Sequence, residues 1–149
     1  MDGDEILSLV NRDLRLKNRF LGVFAADELP NHIAAGNGLI VNCCKRGYPG
    51  QHWLAVFKSL DAELEFFDSF GNTPNAYGLK IRAGDVIRFN HVQLQNLFSN
   101  LCGVFCIYYL FKRVRGYTLW EVQNDFSRNN TEFNDTIVIN FICNNILYL

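Results

Sequence analysis

Residues 102–111, CGVFCIYYLF, would be apolar on nearly every face of a helix, and the run closes with Lys112, Arg113 and Arg115 before Gly116. A helix that is hydrophobic all round has to be surrounded by protein or by lipid. This one is too short for lipid, because spanning a bilayer takes about 20 apolar residues. It therefore reads as the central buried helix of a globular domain. The cations suit its negative C-terminal end and Gly116 its termination, while Ser99 or Asn100 is expected to cap its start. A chain of 149 residues, 49% hydrophobic and 19% charged, supplies one folded core around such a helix. Residues 1–149 are read as a single domain, the loop at 71–85 being the only plausible boundary.

The rest of the chain reads as short strands followed by helices. DEILSLVNR (4–12) sets Ile6, Leu7 and Val10 at helical spacing behind acidic residues suited to a helix N-terminus. GLIVNCC (38–44) is a buried strand ended by the turn KRGYPG. HWLAVFKSL (52–60) and AELEFFDSFG (62–71) form a strand pair around a tight turn, and VIRFNHVQLQ (86–95) resembles a further strand. TLWE (118–121) matches a capping box, and Asn134 or Asp135 is expected to open a last helix with Ile137, Val138, Phe141 and Ile142 on one side. The expected class is α+β: a mixed or antiparallel central sheet packed by helices, with the buried central helix carrying Cys102 at its N-terminus.

That placement is chemically suggestive. A thiol at the first turn of a helix faces unpaired N–H groups and the positive end of the dipole, which favour thiolate. The same N–H groups, with the Gln95 side-chain amide, can stabilise an oxyanion, and Gly103 would let a substrate backbone approach closely. His52 starts one strand of the hairpin and Asp68 ends its neighbour, so an antiparallel pairing brings imidazole and carboxylate to one sheet edge. Nucleophile, general base and orienter are then Cys102, His52 and Asp68. His91 and His32 offer the same chemistry, but neither begins a strand beside a carboxylate-bearing one. Cys43, Cys44, Cys106 and Cys143 read as core packing, and no CxxC or HxxxH spacing indicates a metal site.

GQHWLAVF, EFFDSFG and QNLFSNLCGVFC, with FLGVF, Asp27, Pro30 and the IVN of 40–42, resemble in order and spacing the adenovirus endoprotease (adenain) family. The ubiquitin-like-protein proteases of the same clan are more distantly similar. The resemblance implies Cys102 as nucleophile, His52 as base, Asp68 as the acidic third member and Gln95, rather than its near rival Gln93, as the oxyanion-hole amide. It also implies that Trp53 is an aromatic wall that narrows the cleft for glycine pairs, with Phe24 opposing it. The implied activity is thiol endopeptidase cleavage at Gly-Gly or Gly-X sites in viral precursor proteins, or in the capsid-like proteins of large DNA transposons. Capsid or core precursors would be the polypeptide partners, met in the host-cell interior and the virion during maturation, by an enzyme expected to act as a monomer. A ubiquitin-type isopeptidase of the same clan and an inactive binding scaffold are the competing readings.

Regulation is expected to differ from the adenovirus route. Activation there uses a viral peptide that pairs through a cysteine in the middle region, whereas no cysteine lies between Cys44 and Cys102, which leaves Cys43 or Cys44 as anchors. DNA activation needs many cations, and the net charge is −1. Arg12, Arg15, Lys17, Arg19 and the KRVR of 112–115 read as solvated or helix-end cations. No cofactor, nucleic acid or membrane partner is expected, and the acidic start without a signal-like stretch suggests an intracellular chain.

Overall fold

In the computed structural model, which describes residues 1–81 and 87–147, five strands form one mixed sheet in the order β1-β2-β3-β4-β5. These are β1 Phe20–Phe24, β2 Gly38–Asn42, β3 Trp53–Lys58, β4 Leu64–Phe67 and β5 Ile87–Phe89. β2, β3 and β4 run antiparallel, with Leu39 opposite Val56 and Ala55 opposite Phe67, while β1 and β5 join the two edges in parallel. The three central strands are largely apolar, with Glu65 of β4 as a buried charged exception, because both faces of the sheet are covered. Ile40, Ala55, Phe57 and Phe67 point to the helices; Leu39, Val41, Leu54, Val56, Leu64 and Phe66 point to a second core closed by Phe24, Leu29, Ile33, Tyr77 and Leu79. The class is α+β, as expected.

The apolar run folds as α3 (Cys102–Arg113), with Gly103 through Leu110 all buried. Burying each large side chain is worth roughly 1.5–3 kcal/mol, so the helix anchors the domain. Around it lie α1 (Gly3–Val10), α2 (Leu14–Lys17), α4 (Leu119–Asn124) and α5 (Thr131–Ile142), the last running into a π-helical turn, Cys143–Leu147. α1 and α4 both begin with capping boxes, Asp2 with Glu5 and Thr118 with Glu121.

Several expectations are corrected. Neither Ser99 nor Asn100 caps α3; its N-cap is Leu101, with no side-chain bond. α5 starts earlier, capped by Asn130, and Asn134 lies inside it, buried and bonded to the Leu94 and Ser127 carbonyls. Leu7 is 36% exposed, and Leu9 packs on the core instead. The strand expected over 86–95 spans Ile87–Phe89, with residue 86 outside the described set. It stops there because the Asn90 side chain replaces the ladder: its Oδ1 accepts from the Asp68 N–H at 3.0 Å and its Nδ2 donates to the Asp68 carbonyl at 2.6 Å. Residues 82–85 of the expected 71–85 loop also lie outside the described residues. Cys106 is buried as expected, but Cys43, Cys44 and Cys143 are only half-buried.

Candidate active site

The β3–β4 hairpin sets the site. Its register, Ala55 opposite Phe67, carries forward to bring residue 52 beside the segment just past β4. There His52 Nε2 lies 2.6 Å from Asp68 Oδ1, with His52 7% and Asp68 0% exposed. α3 presents Cys102 to the same imidazole, near enough for each group to shift the other's pKa. Nε2 is occupied by the carboxylate, so Nδ1 is the nitrogen left to accept the thiol proton. The three residues that the sequence reading brings together thus lie side by side, with His52 and Cys102 on the wall of a cleft of about 840 Å³.

Electrostatics of the three groups favour a charge-separated resting state. Burial works against the His52 imidazolium, but the hydrogen bonds and charges of Asp68 and Cys102 outweigh it and raise the pKa to about 9. Burial pushes the Cys102 thiol up, yet the His52 contact and the Trp53 and Gly103 backbone N–H groups bring it below its ordinary value. Burial also pushes Asp68 up, and His52, the Tyr77 hydroxyl and the Phe70 N–H hold it below the usual carboxylate range. An imidazolium that persists to about 9 beside a thiol of lowered pKa favours a thiolate–imidazolium pair.

Trp53, Phe24 and Gln95 line the same cleft as His52 and Cys102. Gln95 is 1% exposed, and its amide is engaged: Nε2 donates to the Ser99 carbonyl at 2.9 Å and to Ser99 Oγ at 3.1 Å, while Oε1 accepts from Ser69 Oγ at 2.6 Å. Gln93 instead donates to the Gln95 carbonyl at 3.0 Å. A Cβ on Gly103 would meet Met1 Sδ at 2.9 Å and Ile6 and Trp53 carbons at 3.4 Å, so the missing side chain makes room for the N-terminal segment. The contribution of Gly103 to the site is its N–H. His32 lies on the wall of a separate small cavity, and His91 is exposed against Phe89.

Sequence reasoning missed the residues that frame Asp68. Phe70 stacks on His52 with centroids 4.7 Å apart and planes at 20°, closing one face of the ring. The Phe70 and Asn72 N–H groups donate to the carboxylate at 2.9 and 3.1 Å, and the Tyr77 hydroxyl donates at 2.5 Å. The 90–95 loop is stapled to the same turn, since the Leu94 and Gln95 N–H groups both donate to the Ser69 carbonyl. Gly71, with φ +78°, allows this: a Cβ there would stand 2.8 Å from the Val92 backbone. A carboxylate followed within ten residues by glycine, two asparagines and a tyrosine was the available signal.

Asp27 accepts from the Arg46 N–H at 2.9 Å, and Glu28 pairs with the Arg46 guanidinium, so both brace the 45–47 loop rather than touch the site. Among the described residues, no group of three or more His, Cys, Asp or Glu side chains is placed to hold a metal ion. No described helix is long and apolar enough to cross a membrane. No protein-family model matches the chain, and no curated protein matches it.

Proposed function

We propose that this chain is a cysteine endopeptidase in which the Cys102 thiolate attacks the scissile carbonyl, His52 moves the proton and Asp68 orients the imidazole. The observation that carries the reading is the buried line from the Cys102 thiol through His52 to the Asp68 carboxylate, open at the thiol end to a cleft. Attack forms a C–S bond and places negative charge on the former carbonyl oxygen, near the uncapped first N–H groups of α3. The imidazolium then gives its proton to the departing amine. Water, deprotonated by His52, releases the acyl group from sulfur. Gln95 joins the oxyanion site by giving up one of its two bonds to Ser99.

The proposed substrates are capsid or core precursor proteins of a virus, or of a virus-like transposon, cut at Gly-Gly or Gly-X during particle maturation inside the host cell. Support comes from the adenain-like motifs and from two aromatics, Trp53 and Phe24, on the cleft that holds Cys102. A slot walled by aromatic rings accepts an extended backbone without Cβ atoms and rejects larger residues.

The test is turnover of matched Gly-Gly and Ala-Ala peptides by the wild-type chain and by Cys102→Ala. The Gly-Gly peptide should be cleaved and its Ala-Ala counterpart spared, and the variant should lose at least about 10⁴-fold in kcat while keeping its circular dichroism spectrum. Cleavage retained by Cys102→Ala would sink the assignment. Faster turnover of a ubiquitin-like modifier than of any precursor peptide would move the substrate to the isopeptidase class.

A further inference from the structure

The Asp68 carboxylate receives four donors, two on each oxygen. Oδ1 takes His52 Nε2 and the Phe70 N–H; Oδ2 takes the Asn72 N–H and the Tyr77 hydroxyl. Three of these come from His52 or from the turn that follows β4. The fourth comes from the 3-10 turn Pro74–Tyr77, whose tyrosine packs its ring into the second core on the far side of the sheet. The phenol in turn accepts from Asn72 Nδ2 at 3.1 Å. With that amide donating to it, the hydroxyl proton is directed at Asp68.

We propose that Tyr77 is a positioning residue of the site: its hydroxyl, oriented by Asn72, holds Asp68 so that the His52 proton stays on Nε2 and Nδ1 is left for the Cys102 proton. This rests on the functional reading above. The polarity of the chain leaves no other arrangement. Asn72 Nδ2 can only donate, so the phenol accepts there and donates to Asp68; the carboxylate can only accept, so His52 must donate from Nε2. Desolvation raises the Tyr77 pKa, and Asp68 raises it further, which keeps the phenol protonated and in its donor role at working pH.

The carboxylate has no exposed edge at which water could replace a lost donor, since Asp68 is 0% exposed. Tyr77→Phe therefore removes a charge-assisted bond without a ready substitute. A carboxylate released on its Oδ2 side is no longer held against His52 Nε2, so it pairs less well with the imidazolium, and a weaker imidazolium holds the thiolate less well. The window of the ion pair then narrows from both sides: the imidazole titrates lower and the thiol higher. The other titratable groups facing this line are Cys102 and Cys106 from α3 and Cys43 beyond β2, and Tyr77→Phe removes none of these side chains. Phe70 covers the ring but does not titrate.

The test reads thiolate directly rather than cleavage. Cys102 alkylation by iodoacetamide is followed against pH by peptide mass mapping, which separates it from the other four cysteines, and histidine-labelled protein reports the His52 titration by NMR. In the wild type, alkylation should persist well below pH 8.5, the free-thiol range. If it does not, the catalytic reading itself fails, whatever Tyr77 does. If it does, Tyr77→Phe should move the alkylation inflection up and the His52 titration down, each by about one unit, a tenfold change in either equilibrium. Profiles that superimpose on the wild type would overturn the role of Tyr77. Asn72→Ala, at an exposed side chain, keeps the backbone bond to Asp68 and guards against loss of fold in the first variant. It should shift both titrations in the same directions by less, and an unshifted pair of titrations would overturn the orienting chain.

Discussion

α3 meets a buried carboxylate of the neighbouring strand at each of its ends, and the two meetings have opposite characters. At the N-terminal end Asp68 faces His52 and, through it, Cys102. At the C-terminal end Glu65, three residues earlier on β4 and 5% exposed, receives Arg113 through Nε at 2.7 Å and Nη2 at 2.8 Å, plus the Tyr109 hydroxyl at 2.7 Å. Arg113 also lies over the Phe57 ring, 4.5 Å from its centroid, and Tyr109 stacks on Phe67 with planes 5° apart. Both ends contain a carboxylate, an aromatic ring and a cation. They differ in the cation and in access. A guanidinium stays charged across the working range and its fork seals the carboxylate; an imidazole changes charge and leaves a cleft at the thiol. One end locks α3 to the sheet, and the other can move a proton.

The comparison breaks most visibly at the sealed end. Glu65→Ala leaves the Arg113 guanidinium and the Tyr109 hydroxyl without their shared acceptor beneath the helix. The expected cost is about 3–5 kcal/mol, the range for removing one partner of a buried pair. For a chain of this size that lowers Tm by about 6–20 °C in a thermal melt. At a temperature where the variant is still folded, its Cys102 alkylation profile should match the wild type. A thiol inflection that moved with Glu65→Ala would mean that the two ends are one electrostatic unit, and the distinction would fail.

A smaller effect separates the two ends by pH. His52, lowered by burial but raised further by Asp68 and Cys102 to about 9, contributes stability that is complete below the unfolded value near 6.5 and lost as pH climbs through 9. Cys102 has a lowered pKa, so its contribution is complete above the unfolded value near 8.5 and lost as pH falls through the folded one. Between about 6.5 and 8.5 the raised His52 gives a slope that falls with pH and the lowered Cys102 one that rises, so the two oppose each other. Cys102→Ala removes the rising contribution and leaves the part of the falling one that Asp68 supplies. Its stability in urea should fall more steeply across that interval than that of the wild type. Equal slopes in the two proteins would argue against a resting ion pair.

Why some of this was legible in the sequence and some was not follows from how far each argument had to reach. The hairpin geometry needed only alternation and a short turn, so the meeting of His52 and Asp68 could be read from spacing. α3 could be read from an apolar run that permits no solvent-facing side. β1 pairs in parallel with a strand 18 residues on and contains Gly22 at φ +140°, so local preference gave no strand signal there. Asn90 and Tyr77 act through contacts set by tertiary folding, and a polar residue in a loop does not reveal which backbone it will hold. Glu65 carries a usable signal: alternation puts it on the same face as Phe67, against the helix, and a carboxylate there requires a cation. Arg113 by itself reads only as a helix-end charge. Gly103 shows the converse, since the absence of a side chain beside Cys102 is equally suited to a substrate and to Met1.

The mildest prediction concerns how the helices begin. α1 and α4 satisfy their first N–H groups with capping boxes, and in α4 the Thr118 hydroxyl accepts from the Glu121 N–H at 3.1 Å. α3 has no such cap, and the Gly103 N–H is directed at the Cys102 sulfur instead. A cap stabilises a helix by satisfying its donors, whereas an uncapped end keeps them for an anion that arrives during reaction. Thr118→Ala should therefore cost only about 1 kcal/mol, seen as a small fall in the urea midpoint with the m-value unchanged, and should leave Cys102 alkylation untouched. If the loss reached the size expected for Glu65→Ala, α4 would be part of what locks α3 in place, and the sealed end would extend beyond the carboxylate and its two partners.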